Sequence, residues 1–216
     1  TGGDNGSGYS WHHKTIEGFS FTHMSGVGWY GDLGNFLVMP TIGDLKTFKG
    51  TEENPEEGYR SRYSHDREQA TAHKYTVMLD DYQIKAELAS APRSGMIRFT
   101  YPKSEVSRIQ IDLARRIGGT STEQYVEVVD DYTIKGWMKC TPETGGWGDG
   151  DGKANYTVYF HCCFDRPLKN FGVWSADIPE GVARKNASND DPAYYEYIKN
   201  ARILPMQKVA QGKHLG

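Results

Sequence analysis

One short stretch of the chain, residues 18–40, concentrates the side chains that could bind a small polar ligand. It reads GFSFTHMSGVGWYGDLGNFLVMP. Glycines let the backbone take positive φ and approach a ligand closely. Polar groups beside an indole on such a loop are typical of a pocket for a sugar or another small ligand. The candidate binding residues are Trp29, Gly28, Gly26, His23, Ser25 and Asp32.

The same stretch has a simpler interpretation as a tight turn whose Trp29 fills the core. It also lacks a complete catalytic apparatus. Hydrolysis of a glycosidic bond needs two carboxylates flanking that bond, and Asp32 is the only acid in the stretch. The chain contains no nucleophile elbow, phosphate loop, HExxH or CxxC motif, so the usual enzyme classes have no specific signal.

Two further clusters of ligand-type residues are weaker candidates. His65, Asp66 and Glu68 lie close enough in sequence for a metal or acid–base site. Simple ion pairing explains them better, because arginines interleave with them. These arginines are Arg60, Arg62 and Arg67.

The second cluster, Asp149 and Asp151, resembles the start of a calcium loop. Lys153 occupies the third ligand place, however, and no closing Glu follows at the required interval. The segment is predicted to be a turn.

Composition bounds the class of protein. A chain of 216 residues with 37% hydrophobic and 25% charged residues is typical of a soluble globular protein, and we expect one domain. The formal net charge of -3 without a local basic cluster argues against nucleic acid as a partner. No apolar run is long enough to span a bilayer, and three cysteines are too few to indicate a compartment.

The elements that must position these residues are predicted to be antiparallel strands. Strand-length runs lie at 75–79, 83–89 and 96–101, separated by turn residues, and 108–114 alternates apolar and polar side chains. The sequence DDYTIK at 130–135 echoes DDYQIK at 80–85, each between two strands. The repeat indicates either independent use of a good turn sequence or a sheet of similar hairpins, and both interpretations predict an antiparallel fold.

Other segments give more specific predictions. A strand at 36–39 should stop at Pro40. The apolar strand at 156–163 should be central and covered on both faces, with Tyr159, His161 and Cys163 opposite to Tyr156 and its neighbours. Beyond Trp174 we predict a short helix starting at Pro192, capped by 189–191, and no closing strand.

Several linked segments together resemble the N-terminal domain of glycoside hydrolase family 92, the exo-acting α-mannosidases abundant in gut Bacteroides. These segments are GYSWHHKTIEGFSFTHMSGVGWYGDLGNFLVMPT, SRYSHDREQATAHKYTVMLDDYQIKAELASAPRSGMIRFTYPKS and YFHCCFDRPLKNFGVW. The resemblance covers nearly the whole chain. The linked block of IEGFSFTHMSG, a glycine turn, GDLG and VMPT is its most specific part.

The resemblance implies an all-β fold, an antiparallel β-supersandwich similar to galactose mutarotase with minor short helices. Residues 1–216 would form a single N-terminal domain, truncated at both ends, with the (α/α)6 barrel domain absent. The family's pocket lies between the two domains, and the barrel supplies the acid and base carboxylates for hydrolysis with inversion. Trp29, on the turn of Gly26 and Gly28, would be a wall of the subsite for the leaving sugar, supported by His23, Ser25 and Asp32.

The same resemblance implies the remaining functional expectations. The full-length enzyme would require Ca2+, bound mainly outside this chain, and would cleave mannose from mannose-containing glycans, with an α-1,2 preference and a role in N-glycan degradation. Its partners would be these glycans and its own C-terminal domain. Such an enzyme would be secreted, periplasmic or on the bacterial cell surface.

Two alternatives come from other functional classes. The chain could be a stand-alone β-sandwich that binds carbohydrate without cleaving it. It could also be a mutarotase-type epimerase, which would need a His and Glu pair inside one sandwich; His161 is a candidate, and no partner acid can be named.

Overall fold

A computed structural model describes residues 9–22, 34–116, 119–144, 155–180, 182 and 192–216. This part of the chain is built from β-strands, three short 3₁₀ turns and an eight-residue helix, α1 (Pro192–Lys199). It includes no helix long and apolar enough to cross a membrane. The strands are β1 (Thr15–Ile16), β2 (Leu37–Ile42), β3 (Ser61–Arg62), β4 (Glu68–Ala70), β5 (Tyr75–Leu79), β6 (Ile84–Ala91), β7 (Ser94–Thr100), β8 (Ser107–Asp112), β9 (Arg115–Arg116), β10 (Gly119–Thr120), β11 (Glu123–Asp130), β12 (Thr133–Cys140), β13 (Tyr156–Cys163), β14 (Gly172–Ser175), β15 (Arg202–Pro205) and β16 (Val209–Gly212).

Two four-stranded sheets are the largest sheets of the described structure. Sheet 1 has the strand order β4-β5-β6-β7 and sheet 2 the order β13-β12-β11-β16, while the other strands form the pairs β1–β3, β2–β8, β9–β10 and β14–β15. Every described pairing is antiparallel. The predicted all-β, antiparallel class with a minor helix is therefore confirmed. The two DDY turns do connect equivalent hairpins, β5–β6 and β11–β12.

The ribbon formed by β2 and β8 connects the cores of the two sheets. Leu37 and Met39 on β2 pack into a core with buried residues of sheet 1, such as Val77. Ile111 on β8, together with Phe36 just before β2, packs instead into a core with buried residues of sheet 2. Because side chains alternate along a strand, one ribbon can serve both cores.

Three sequence predictions about strands are wrong. β2 does not stop at Pro40 but runs through it to Ile42, in register with β8. On the side of β2 away from β8, the described bridge joins Val38 to Phe19. No described hydrogen bond on that side reaches position 40. Proline is therefore tolerated there, because its missing N–H removes no described ladder bond. The prediction that no closing strand follows α1 is also wrong, since β15 pairs with β14 and β16 pairs with β11.

The third wrong prediction concerns β13, which is the terminal strand of sheet 2 as described and not a central one. Its predicted division into two faces is correct, with Tyr156, Val158 and Phe160 packed on the core. The opposite face is open, and Tyr159 is 73% exposed. Tyrosine makes the run look uniformly apolar, yet its hydroxyl tolerates water.

A buried carboxylate joins separate segments of the chain. Glu17, only 2% exposed, directly follows β1 and forms ion pairs with Arg60, Arg115 and Lys49, the last with an Nζ–Oε1 distance of 3.3 Å. Arg60 also donates to the Thr15 hydroxyl over 3.1 Å. Burial by itself raises the pKa of Glu17, but the attraction of Arg115, Lys49 and Arg60 outweighs it and holds the pKa well below its usual value. The carboxylate is therefore ionised in the fold.

Glu17→Gln should destabilise the fold by about 3–5 kcal/mol, because it leaves buried cations without this carboxylate. Urea unfolding followed by circular dichroism measures the change. Glu105→Gln, at an exposed position, is the matched control and should stay within about 0.5 kcal/mol. A similar, small effect of both substitutions would contradict the structural role of Glu17.

The start of the described chain is attached to the 3₁₀ turn His65–Arg67 and to β4. The His65 ring stacks on Trp11, with centroids 3.7 Å apart, and its two nitrogens contact Glu68 Oε1 at 2.7 Å and the Trp11 carbonyl at 2.8 Å. Glu68 also accepts from the hydroxyls of Tyr9, at 3.0 Å, and Tyr75, at 2.6 Å. Both partners of the His65 ring are acceptors, so the doubly protonated ring satisfies them best.

The contacts of His65 should make the docking of this N-terminal segment pH-dependent. The hydrogen bond to Glu68, followed by that to Trp11, raises the pKa of His65. Its contribution to stability is thus fully present below the unfolded pKa, about 6.5, and lost as pH rises through the folded value. An NMR titration should give a His65 pKa above about 6.5 and a parallel shift of the Trp11 amide. In Glu68→Gln the pKa should fall, and an unchanged value there would refute this account.

Candidate functional site

All six binding residues predicted from the sequence lie in the segment 23–33, outside the described residues. These are His23, Ser25, Gly26, Gly28, Trp29 and Asp32. Their positions, and the alternative in which Trp29 fills the core, remain predictions. The structure describes the two ends of the segment, which we call the loop base and define as residues 18–22 and 34–38.

Hydrogen bonds to one hydroxyl hold the two ends of the segment together. Thr22 Oγ1 donates to Asn35 Oδ1 at 2.8 Å and accepts from the backbone N–H groups of Gly34, at 3.2 Å, and Asn35, at 2.9 Å. The Gly34 N–H also lies 2.8 Å from the Thr22 carbonyl. One donor and two acceptor sites are all that a threonine hydroxyl offers, so every one is used.

The backbone of the loop base requires glycine at its ends. Phe19 and Val38 exchange backbone hydrogen bonds, both of 2.8 Å, which forms a short antiparallel bridge. Gly18, just before it, has φ +151°, and a Cβ there would lie 2.8 Å from Leu37 Cγ. Gly34 has φ 85°, in the left-handed region that favours glycine. These glycines let the two parts of the loop base turn sharply and pack closely.

The loop base rests on the core of sheet 2. Asn35 is fully buried, and its side chain contacts Cys140 Sγ at 3.5 Å and accepts from the Tyr156 hydroxyl at 3.3 Å. The next residue, Phe36, packs against the Phe160 ring with centroids 4.7 Å apart. The two described ends of the segment 23–33 are therefore fixed by hydrogen bonds next to the end of β12 and the start of β13.

The described residues around α1 enclose a small cavity. It has a volume of about 20 Å³ and is lined by aromatic residues such as Phe48, Tyr59 and Tyr194, with Lys49 and Arg115 beside them. This volume can hold a single water molecule. It is too small for a sugar ring.

The cluster of His65, Asp66 and Glu68 is a structural contact. Within the described ranges no group of three or more His, Cys, Asp or Glu side chains is arranged to hold a metal ion. His65 pairs with Glu68, but the interleaved arginines have partners from distant segments and do not pair within the cluster. The pairs are Arg60 with Glu17, Arg62 with Asp81 and Arg67 with Asp80. The calcium-like pair Asp149 and Asp151 lies outside the described residues.

Sequence reasoning missed a row of aromatic side chains on the outer face of sheet 2. Tyr125, Trp137 and Tyr159 stand opposite one another on β11, β12 and β13. The Tyr125 and Trp137 rings are nearly parallel, at 10°, with centroids 6.0 Å apart. We call these three residues the aromatic row. Alternation within each strand is visible in the sequence, but the register that aligns the three is not.

A second, polar row runs beside the aromatic row. It consists of Glu127, Lys135 and His161, again in register across β11, β12 and β13. His161 Nδ1 lies 3.7 Å from Cys163 Sγ, and Lys135 stands between His161 and Glu127 in the row. The His and Glu pair that an epimerase would require is therefore not formed here.

Comparisons with known proteins agree with this architecture. The model of the glycosyl hydrolase family 92 N-terminal domain matches residues 1–205. The structure of the family GH92 α-mannosidase BT3965 from Bacteroides thetaiotaomicron is 37% identical, with a TM-score of 0.75, over 98% of this chain and 25% of that chain. The complex of that protein with mannoimidazole gives the same identity and TM-score over 99% and 24%. A comparison with curated proteins found no match.

A more distant structure, that of the gh92 family glycosyl hydrolase ccman5, shares the fold with a TM-score of 0.67 at 23% identity, over 98% of this chain and 25% of that chain. The chain thus spans about a quarter of the length of the solved structures that it matches. The family model covers nearly all of the chain. The chain belongs to the glycosyl hydrolase family 92 N-terminal domain family.

Proposed function

We propose that this chain is the N-terminal domain of a calcium-dependent, inverting exo-α-mannosidase, and that its segment 23–33 forms one wall of the sugar pocket. The observation that carries the proposal is the family match over residues 1–205, together with 37% identity to an α-mannosidase. One structure of that enzyme contains mannoimidazole.

The loop base supports the role of the segment as a rigid wall. A subsite wall must hold its side chains still, because each degree of freedom frozen on binding weakens the affinity. Thr22 and Asn35 pin the two ends of the segment, and Asn35 is anchored in the core of sheet 2. In this proposal Trp29 stacks on the leaving sugar, with Gly26 and Gly28 shaping the turn and with His23, Ser25 and Asp32 as polar support.

The chemistry of the loop base supports a division of labour between domains. Inverting hydrolysis uses one carboxylic acid to protonate the leaving oxygen and one carboxylate to activate water. The side chains that meet at the loop base are the Thr22 hydroxyl, the Asn35 amide, the Tyr156 phenol and the Cys140 thiol. Burial raises the pKa of Tyr156, so the phenol stays protonated. The acid and base are therefore assigned to the (α/α)6 barrel domain of the full-length protein.

Calcium enters this proposal only through the full-length protein. Ca2+ takes six to eight oxygen ligands, commonly including carboxylates. No cluster of three or more acidic, histidine or cysteine side chains with the required arrangement occurs among the residues that the structure describes. These residues thus do not fit a calcium site, and the proposal assigns the ion to the remainder of the full-length protein. The remaining parts of the proposal are α-1,2-linked mannose in N-glycans as substrate and a secreted, periplasmic or cell-surface location.

The division of labour can be tested by comparing two lengths of protein. The full-length protein should release mannose from α-1,2-mannobiose, and the 216-residue chain should release none, with or without calcium. Chromatography of the released monosaccharide measures both. Turnover by the short chain would place both carboxylates within it. An inactive full-length protein would overturn the proposed hydrolase activity.

Trp29→Ala in the full-length protein should affect substrates with a leaving sugar most. We expect kcat/KM to fall on the order of tenfold more for the disaccharide than for an aryl α-mannoside, since a lost stacking contact of about 1.4 kcal/mol corresponds to tenfold. Trp11→Ala is the matched control, because Trp11 is an exposed tryptophan that stacks on His65. Equal losses on both substrates would show that Trp29 is only structural.

A further inference from the structure

The outer face of sheet 2 carries a groove that the proposed hydrolase does not use. The groove has a volume of about 330 Å³ and is lined by side chains of both rows defined above. The aromatic row, Tyr125, Trp137 and Tyr159, forms one wall, and Lys135 and His161 of the polar row lie along the other. The accessible surface inside the groove is almost entirely apolar. We call the side with the aromatic row the aromatic wall, and the side where Lys135 and His161 lie the polar wall.

The aromatic wall is available to a ligand. Tyr159 is 73% exposed, and the rings of Tyr125 and Trp137 are within 10° of parallel. The faces of such rings offer an apolar surface. Sugars present an apolar face of C–H groups that packs on aromatic rings, and their hydroxyls point outward to polar partners. The size of the groove suits a short oligosaccharide segment.

The polar wall determines the charge of the ligand. Lys135 Nζ lies 3.2 Å from Glu127 Oε2, and the Tyr125 hydroxyl donates to the same oxygen at 2.7 Å. The positive and negative charges of this wall therefore compensate each other. An anionic ligand would need an excess of positive charge, which the pair does not supply. A neutral, polyhydroxylated ligand does not need such an excess of positive charge.

The same pair argues against a protein partner on this face. A packed protein interface would remove Lys135, Glu127 and His161 from water, and desolvating a charged pair costs more than it returns unless new hydrogen bonds replace the lost ones. A chain of hydroxyl groups can replace those bonds and leave the pair partly hydrated. Lys135 is still 47% exposed in its side chain, so it has donors to offer.

We propose that this groove binds a neutral glycan chain, by stacking on the aromatic row and by hydrogen bonds to Lys135 and His161, without cleaving it. Hydrolysis would need two carboxylates across the bound sugar, and Glu127, which is paired with Lys135, is the acid in the polar row. The proposal depends on none of the residues 23–33.

Affinity electrophoresis of the full-length protein in native gels tests the proposal. The gels contain soluble α-mannan or a soluble neutral β-glucan, and a gel without polysaccharide gives the reference mobility. The protein should be retarded in at least one of them. Trp137→Ala should weaken that retardation on the order of tenfold in apparent Kd, equivalent to about 1.4 kcal/mol, and Trp137→Phe should restore part of it.

The matched control is Tyr132→Ala. Tyr132 is also exposed, at 48%, but lies in the turn between β11 and β12 and does not line the groove. Its substitution should leave the retardation unchanged. The thermal midpoint of each variant separates lost binding from lost folding, and Trp137→Phe keeps the test valid if Trp137→Ala is unstable.

Three results would overturn the proposal. The first is no retardation of the unmodified protein in either gel, and the second is equal retardation of the unmodified protein and Trp137→Ala. The third is a loss of retardation in Trp137→Ala that comes with a changed oligomeric state or a lowered thermal midpoint and is not recovered in Trp137→Phe. The last would show that the face packs on another part of the protein or on a second copy. Hydrolysis without retardation would refute glycan binding by the groove but not the proposed hydrolase activity. Retardation without hydrolysis would refute the proposed hydrolase activity but not glycan binding by the groove.

Discussion

The buried carboxylate of Glu17 is the interaction on which the arrangement of the described chain depends most. It lies between Arg60, Arg115 and Lys49, which come from segments that are distant in sequence. An ion removed from water is costly unless its partners surround it, so these segments must come together for the fold to form. Glu17 is followed at once by Gly18, where the loop base begins. The cluster thus positions the start of the segment that carries the candidate sugar-binding residues.

The loop base and the outer face of sheet 2 are two different kinds of surface. In the loop base the polar groups bond to one another: the Thr22 hydroxyl donates to the Asn35 side chain and accepts from the Asn35 backbone N–H. The outer face of sheet 2 is open, with aromatic and polar rows side by side. Both depend on sheet 2, since Asn35 and Phe36 pack on the inner face of the strands whose outer face carries the groove. Sheet 2 would therefore support both the proposed pocket wall and the proposed glycan-binding face.

Strong local patterns predicted much of the fold. Period-two alternation located β5 within its observed bounds and assigned the two faces of β13, and proline located the start of α1. The position of β13 within sheet 2 was predicted wrongly, and β15 and β16, short strands of four residues each, were missed. Such strands exist because β14 and β11 offer them an edge, which no local pattern records. Pro40 was misjudged for a related reason, because its tolerance depends on which side of β2 is paired.

The sequence by itself determined the family and the antiparallel all-β class, and it predicts a sugar-binding site in the segment 23–33, because these depend on residue types at fixed local spacing. Tertiary structure decided which charges meet. The arginines beside His65 pair with Glu17, Asp81 and Asp80, and not with their neighbours. It also decided that Tyr125, Trp137 and Tyr159 form one row. The physical reason is the same in both cases: contacts across strands depend on register, and register is set by the packing of the whole sheet.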